Sequence, residues 1–96
     1  MWRPFCLLVL LAVQLPVHAG PWRAGEQNIY GWQLMTPDER IEHQRRLRSF
    51  TSYDDCRAYQ QAHHAEMAER ARAAGVVLSP RRQSACEQLR AQGRLQ

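Results

Sequence analysis

Beyond its first nineteen residues the chain has very little with which to build an apolar core. Residues 20–96 contain ten Leu, Ile, Val and Phe side chains, about 13% of 77, where chains below roughly 20% tend towards disorder. A chain this short buries little surface and folds on a narrow margin, so a defined structure needs a further constraint. Cys56 and Cys86 offer one. An even cysteine count in an oxidising compartment points to one intramolecular disulfide; two free thiols and a bridge between chains are the alternatives. The loop would span 31 residues counted inclusively, and the chain-entropy description assigns such a closure roughly 3–4 kcal/mol. No CxxC pair is present, so nothing points to thioredoxin-like redox chemistry.

The compartment is read from the N-terminus. Arg3 precedes an apolar run from Phe5 to Val13, interrupted by Gln14 and resumed by Leu15 to Val17. Val17-His18-Ala19 then fits a small-x-small cleavage pattern, so residues 1–19 read as a signal peptide and the processed chain begins at Gly20. The apolar stretch is shorter than the about 20 residues a spanning helix needs, and Cys6 leaves with the peptide. The expected localisation is periplasmic or secreted, with a processed chain that does not span the membrane.

All 13 basic residues are Arg, and residues 20–96 carry twelve of them against nine acids. Such a mild, interspersed excess lacks the clustered basic face of a nucleic-acid binder. The expected partners are instead an unidentified protein client or an envelope component.

Along the chain, residues 20–35 hold Pro21, Trp22, Gly25, Asn28, Tyr30 and Gly31 without helical period, which predicts an irregular aromatic arm. Residues 36–92 read as a small helical domain. Thr36-Pro37-Asp38-Glu39 is a capping box with Pro at the first helical position and two acids where the helix dipole favours them. This helix should run to about Arg48, with Ile41, Leu47 and Phe50 on its apolar stripe. Thr51 or Ser52 caps a second helix, from Tyr53 to Ala74 with Gly75 at its end. Its inward face carries Tyr53, Cys56, Tyr59 or Gln60, His63, Met67, Ala71 and Ala74. The short connection makes the two helices antiparallel neighbours, with His43 within a turn of Tyr59 and His63. Ser79-Pro80 opens a third helix, to about Ala91, with Ala85, Cys86 and Leu89 on one side. Residues 93–96 are expected to fray. The fold class is all-α: an antiparallel hairpin, a short third helix and an irregular arm.

Catalytic templates are lacking. None of Ser49, Ser52, Ser79 and Ser84 sits in a nucleophile-elbow context, and the sequence has neither a Gly-rich phosphate loop nor HExxH. No enzymatic activity and no cofactor are therefore expected. The one constellation with chemical content is His63-His64-x-x-Met67, with His43 across the hairpin and Met35 able to approach Met67. Residues 63 and 67 share a helix face, and imidazole with thioether suits copper, imidazole alone zinc. Against this stands the plainer reading that Met67 fills the hairpin seam. A second candidate surface combines Trp22 and Trp32 with Arg45, Arg46, Arg70 and Arg72 as a cradle for polypeptide, although charged helix faces are usually just solvated.

The segment Tyr30 to Leu78, containing YGWQLMTPDERIEHQRRLRSF and AYQQAHHAEMAERARAAGV, resembles a group of short exported proteobacterial proteins of unknown function. These share the Met-Thr-Pro-acid-Glu-Arg helix start and a His-His-x-x-Met helix ending in Arg-Ala-x-x-Gly. The resemblance covers about half the chain and implies a compact domain type without an activity. Met35-Thr36-Pro37-Asp38-Glu39 is also similar to the LTxxQ helix start of the Spy/CpxP periplasmic stress proteins, with Met for Leu, Glu for Gln and no second copy. That similarity implies chaperone and metal-responsive roles. Three functions are thus expected: a non-enzymatic periplasmic accessory protein of chaperone-like character, a copper or zinc binder through His43, His63, His64 and Met67, and a structural subunit of an envelope complex.

Overall fold

A computed structural model describes residues 21–81 and 84–96. Residues 1–19, read above as a signal peptide, lie outside the described residues, as do Gly20, Arg82 and Gln83. Among the described residues the chain is all-helical: a 3-10 turn at Trp32–Leu34, then α1 (Pro37–Ser49), α2 (Tyr53–Ala74) and α3 (Ala85–Ala91).

Each long helix begins where its capping chemistry dictates. The Thr36 hydroxyl accepts from the Glu39 backbone N–H, and Glu39 Oε1 accepts from Thr36 N–H at 2.9 Å. Two of the orphan donors at the start of α1 are thereby satisfied. The Ser52 hydroxyl does the same for Asp55 N–H. α2 stops at Gly75, whose φ of 68° is the left-handed conformation of a helix C-cap. Val76 N–H then turns back to the Ala71 carbonyl at 2.9 Å.

The inward face of α2 is Cys56, Gln60, His63, Met67 and Ala71, a run of three- and four-residue steps. Gln60 rather than Tyr59 is the buried choice at that turn. Ala74 belongs with the exposed residues. On α1 the buried residues are His43 and Leu47, one turn apart. Ile41 is 69% exposed, contrary to its expected place on the stripe. It stands two residues before His43 and therefore about 200° around the helix.

α3 begins at Ala85 rather than near Pro80, because Ser84 occupies the N-cap with extended backbone. Val76 to Arg81 form a non-helical connection. Ala85, Cys86 and Leu89 face inward. Cys86 is bonded to Cys56 with their Cα atoms 5.8 Å apart, so the disulfide is intramolecular. Neither cysteine is exposed. Gln60 Oε1 accepts from the Cys86 N–H beside the bridge.

Both ends of the domain are tied down. Trp22 is buried; its Nε1–H donates to Gln88 Oε1 at 2.8 Å, and its carbonyl accepts from Arg48 Nε at 2.7 Å. Asn28 donates to the same Gln88 oxygen and to the Arg23 carbonyl, closing the arm on itself. At the other end, residues 93–96 do not fray. Leu95 is buried, Gln96 N–H donates to the Thr51 carbonyl, and the Gln96 carbonyl accepts from Tyr53 N–H. The last bond satisfies one of the N–H groups that a helix start leaves without an intrahelical partner. Trp22, Ile29, Met35, Leu47, Met67, Leu89 and Leu95 surround the disulfide in one core.

Candidate functional site

A cleft of about 340 Å³ opens between α1 and α2. Its buried lining is His43, His63, Met35 and Met67, with Tyr59 half-buried beside them. Its exposed edge carries Asp38, Glu42 and Glu66, with Glu39 half-buried. Side chains of the two helices meet here. His43 and His63 bring their rings to 3.9 Å between centroids, and His43 Nδ1 lies 2.9 Å from the Tyr59 hydroxyl.

The tautomer of His63 follows from its partner. Its Nε2 sits 3.1 Å from the Tyr30 carbonyl, and a carbonyl only accepts, so Nε2 carries the proton. The lone pair is left on Nδ1. Gly31 makes this arrangement accessible. Its φ of 77° turns the arm, and a Cβ there would lie 2.5 Å from Met67 Cγ. The arm backbone therefore rests directly on α2, with the Tyr30 carbonyl over His63.

Burial governs the charge state of the imidazoles. Desolvation holds His43 far below its ordinary value, at about 3, with the neighbouring His63 and His64 adding to the effect. Desolvation also lowers His63, partly offset by the Tyr30 hydrogen bond. At the cleft edge the hydrogen bond from Arg70 brings the Glu39 carboxyl down to about 2. Arg70 Nη1 reaches both Glu39 Oε1 at 2.8 Å and the Leu34 carbonyl at 3.0 Å. The guanidinium thus locks the start of α1 to α2.

His64 does not line this cleft. It is half-buried, packs against the Tyr30 ring at 5.1 Å between centroids, and lines a separate cavity. The residue lies about 100° around α2 from His63, enough to place it on another wall. Among the described residues no three His, Cys, Asp or Glu side chains form a metal-holding group. A coordination shell in the cleft would draw on the thioethers.

The polypeptide-binding set is dispersed. Trp22 is in the core, and its N–H has an internal partner in Gln88; it offers almost no exposed surface. Trp32 is half-buried, with the Arg40 guanidinium 4.9 Å from its ring. Arg45 is paired with Glu42, Arg70 with Glu39 and Glu66, and Arg72 with Glu69. Arg46 lies over the Tyr59 ring at 5.2 Å.

The sequence pattern alone did not single out the Tyr30 carbonyl or the acidic edge. The acids at 38, 39 and 42 read as helix-start and surface charge until α2 brings Glu66 opposite. Compared with known proteins, the chain matches no family model, no curated protein and no solved structure.

Proposed function

We propose that this chain is a non-enzymatic, exported binding protein that holds one soft transition-metal ion, copper(I), between α1 and α2. The observation that carries the reading is the His63 hydrogen bond to the Tyr30 carbonyl. It uses one ring nitrogen and leaves the other with a bare lone pair, in a cleft shared with His43 and two thioethers. Metal-bound imidazoles characteristically give their second N–H to a carbonyl or carboxylate, which fixes ring and tautomer. The Tyr59 hydroxyl lies 2.9 Å from His43 Nδ1, and by accepting that N–H would leave His43 Nε2 free in the same way. Sulfur from Met35 and Met67 beside imidazole favours copper over zinc. A disulfide in the core and the tripartite N-terminal pattern support export. The polypeptide-holding alternative has less support, since Trp22 is internal and three of its four arginines are engaged with carboxylates.

The test is a competition titration. Metal-free, oxidised protein is titrated with copper(I), kept reduced by ascorbate, against a colorimetric chelator, with zinc in parallel. One equivalent of copper(I) is expected to bind more tightly than zinc. Met67→Leu and His63→Ala should each weaken copper binding at least about tenfold. Uptake that neither substitution changes would sink the reading.

A further inference from the structure

A second cavity, of about 170 Å³, opens beside His64, between the arm and the connection into α3. Asn28 and Tyr30 of the arm, His64 of α2, and Pro80, Arg81 and Ser84 of the connection line it. The copper reading does not use it.

Three observations bear on what it takes. First, Arg81 Nε is buried, and among the described residues it has no hydrogen-bond partner. A buried donor on a permanent cation is costly to leave unmet, and such an atom in a folded protein calls for a counterpart. Second, the Ser84 hydroxyl makes no capping bond to the backbone of α3, which leaves it available to the cavity. Third, the Asn28 amide is already committed, to Gln88, the Arg23 carbonyl and the Gly25 N–H. Among the described residues, the side-chain polar groups left for a ligand include a guanidinium, a hydroxyl and an imidazole edge, beside Tyr30 and Pro80. Glu87, the acid whose field reaches His64, is not among the lining residues; its Oε1 pairs with Arg57 Nη1 at 2.8 Å and accepts from the Tyr53 hydroxyl at 2.9 Å, while its Oε2 is buried with no partner among the described residues.

We propose that this cavity is a binding site for a small carboxylate carrying a short apolar body, with Arg81 as its charged anchor and Ser84 as its second donor. A planar guanidinium matches a carboxylate in shape and charge. The volume, several times the roughly 30 Å³ of a water molecule, leaves room for a few carbons against Tyr30 and Pro80.

The test is an NMR titration of the oxidised, isotope-labelled protein with butanoate. Butanamide serves as a neutral isostere and inorganic phosphate as a different oxyanion. Butanoate is expected to produce saturable shifts at Tyr30, His64, Arg81 and Ser84. Arg81→Gln should weaken binding about tenfold, the loss of one charge-assisted hydrogen bond, and Ser84→Ala several-fold by the same reasoning. Arg94→Gln, away from the cavity, should bind as the unaltered protein does. Circular dichroism confirms that each variant is folded, and Arg81→Lys, which keeps the charge but lacks the Nε–H, substitutes if Arg81→Gln is not. The proposal is overturned if butanamide or phosphate binds as well as butanoate. It is also overturned if the Arg81 substitutions change nothing, or if no saturable shift arises up to about 50 mM ligand, an affinity too weak to define a site.

Discussion

At the scale of single residues, the arm controls the cleft through two adjacent positions. The Tyr30 carbonyl fixes the proton of His63, and Gly31 lets the backbone approach α2 closely enough to do so. Gly31→Ala places a Cβ against the Met67 side chain at positive φ, and is expected to lower stability by about 2–3 kcal/mol from strain and overpacking together. Urea denaturation reads this directly; an unchanged midpoint would show that the arm yields easily. Tyr59→Phe removes the hydroxyl beside His43 Nδ1. It should cost about 1 kcal/mol, the net worth of one partly buried hydrogen bond. A loss of that size without change in the circular dichroism spectrum is the expected result.

At the scale of elements, Glu39 joins two helices. Its carboxylate completes the capping box of α1 and pairs with Arg70 of α2. The carboxyl titrates at about 2 in the folded chain against an ordinary 4.5, so the unfolded chain takes up this proton first as pH falls. The stabilisation is whole above 4.5, declines between 4.5 and about 2, and is gone below that. The side chain is 36% exposed, and solvent screening holds the effect to about 1 kcal/mol or less. Glu39→Gln should flatten this part of the acid limb of a stability–pH curve; an identical limb in both proteins would assign it to other groups. The C-terminal segment acts on α2 in a similar way. Leu95 is buried and Gln96 bonds to Thr51 and Tyr53. Leu95→Ala should therefore cost about 2 kcal/mol, at the lower end for a buried leucine, where a frayed tail would cost nothing measurable.

At the scale of the whole molecule, the large aliphatic members of the core among the described residues are Ile29, Leu47, Leu89 and Leu95, alongside Ala85 and sulfur and aromatic side chains. The disulfide sits within this core and ties α3 to α2. Replacing both cysteines by Ala releases the 31-residue loop in the unfolded chain. This should remove roughly 3–4 kcal/mol, a large share of the 5–15 kcal/mol typical of folded domains. Chemical denaturation of the double variant tests this. A loss under about 1 kcal/mol would mean that packing alone carries the fold. The reading of the two cysteines as a staple came from their parity, their spacing and the scarcity of aliphatic residues. None of these signals could identify which other side chains would surround the bridge. Trp22 and Leu95, towards opposite ends of the described chain, are placed by contacts distant in sequence: Trp22 by Arg48 and Gln88, and the segment of Leu95 by Thr51 and Tyr53.

Sequence alone determined the elements whose physics is local. The capping box at Thr36, a cap at Thr51 or Ser52, the stop at Gly75 and the period of α2 all act within one or two turns, so each is written in neighbouring residues; the structure selects Ser52. The tertiary structure decided which faces are covered. Ile41 points outward because His43 and Leu47 are the pair that meets the rest of the fold. Trp22 points inward because Gln88, sixty-six residues away, accepts its N–H. His63 joins His43 while His64 faces another cavity; adjacent in sequence, they are separated by a helical turn angle whose consequence depends on what packs on each side. Burial is a property of partners distant along the chain, and a local pattern carries no record of them.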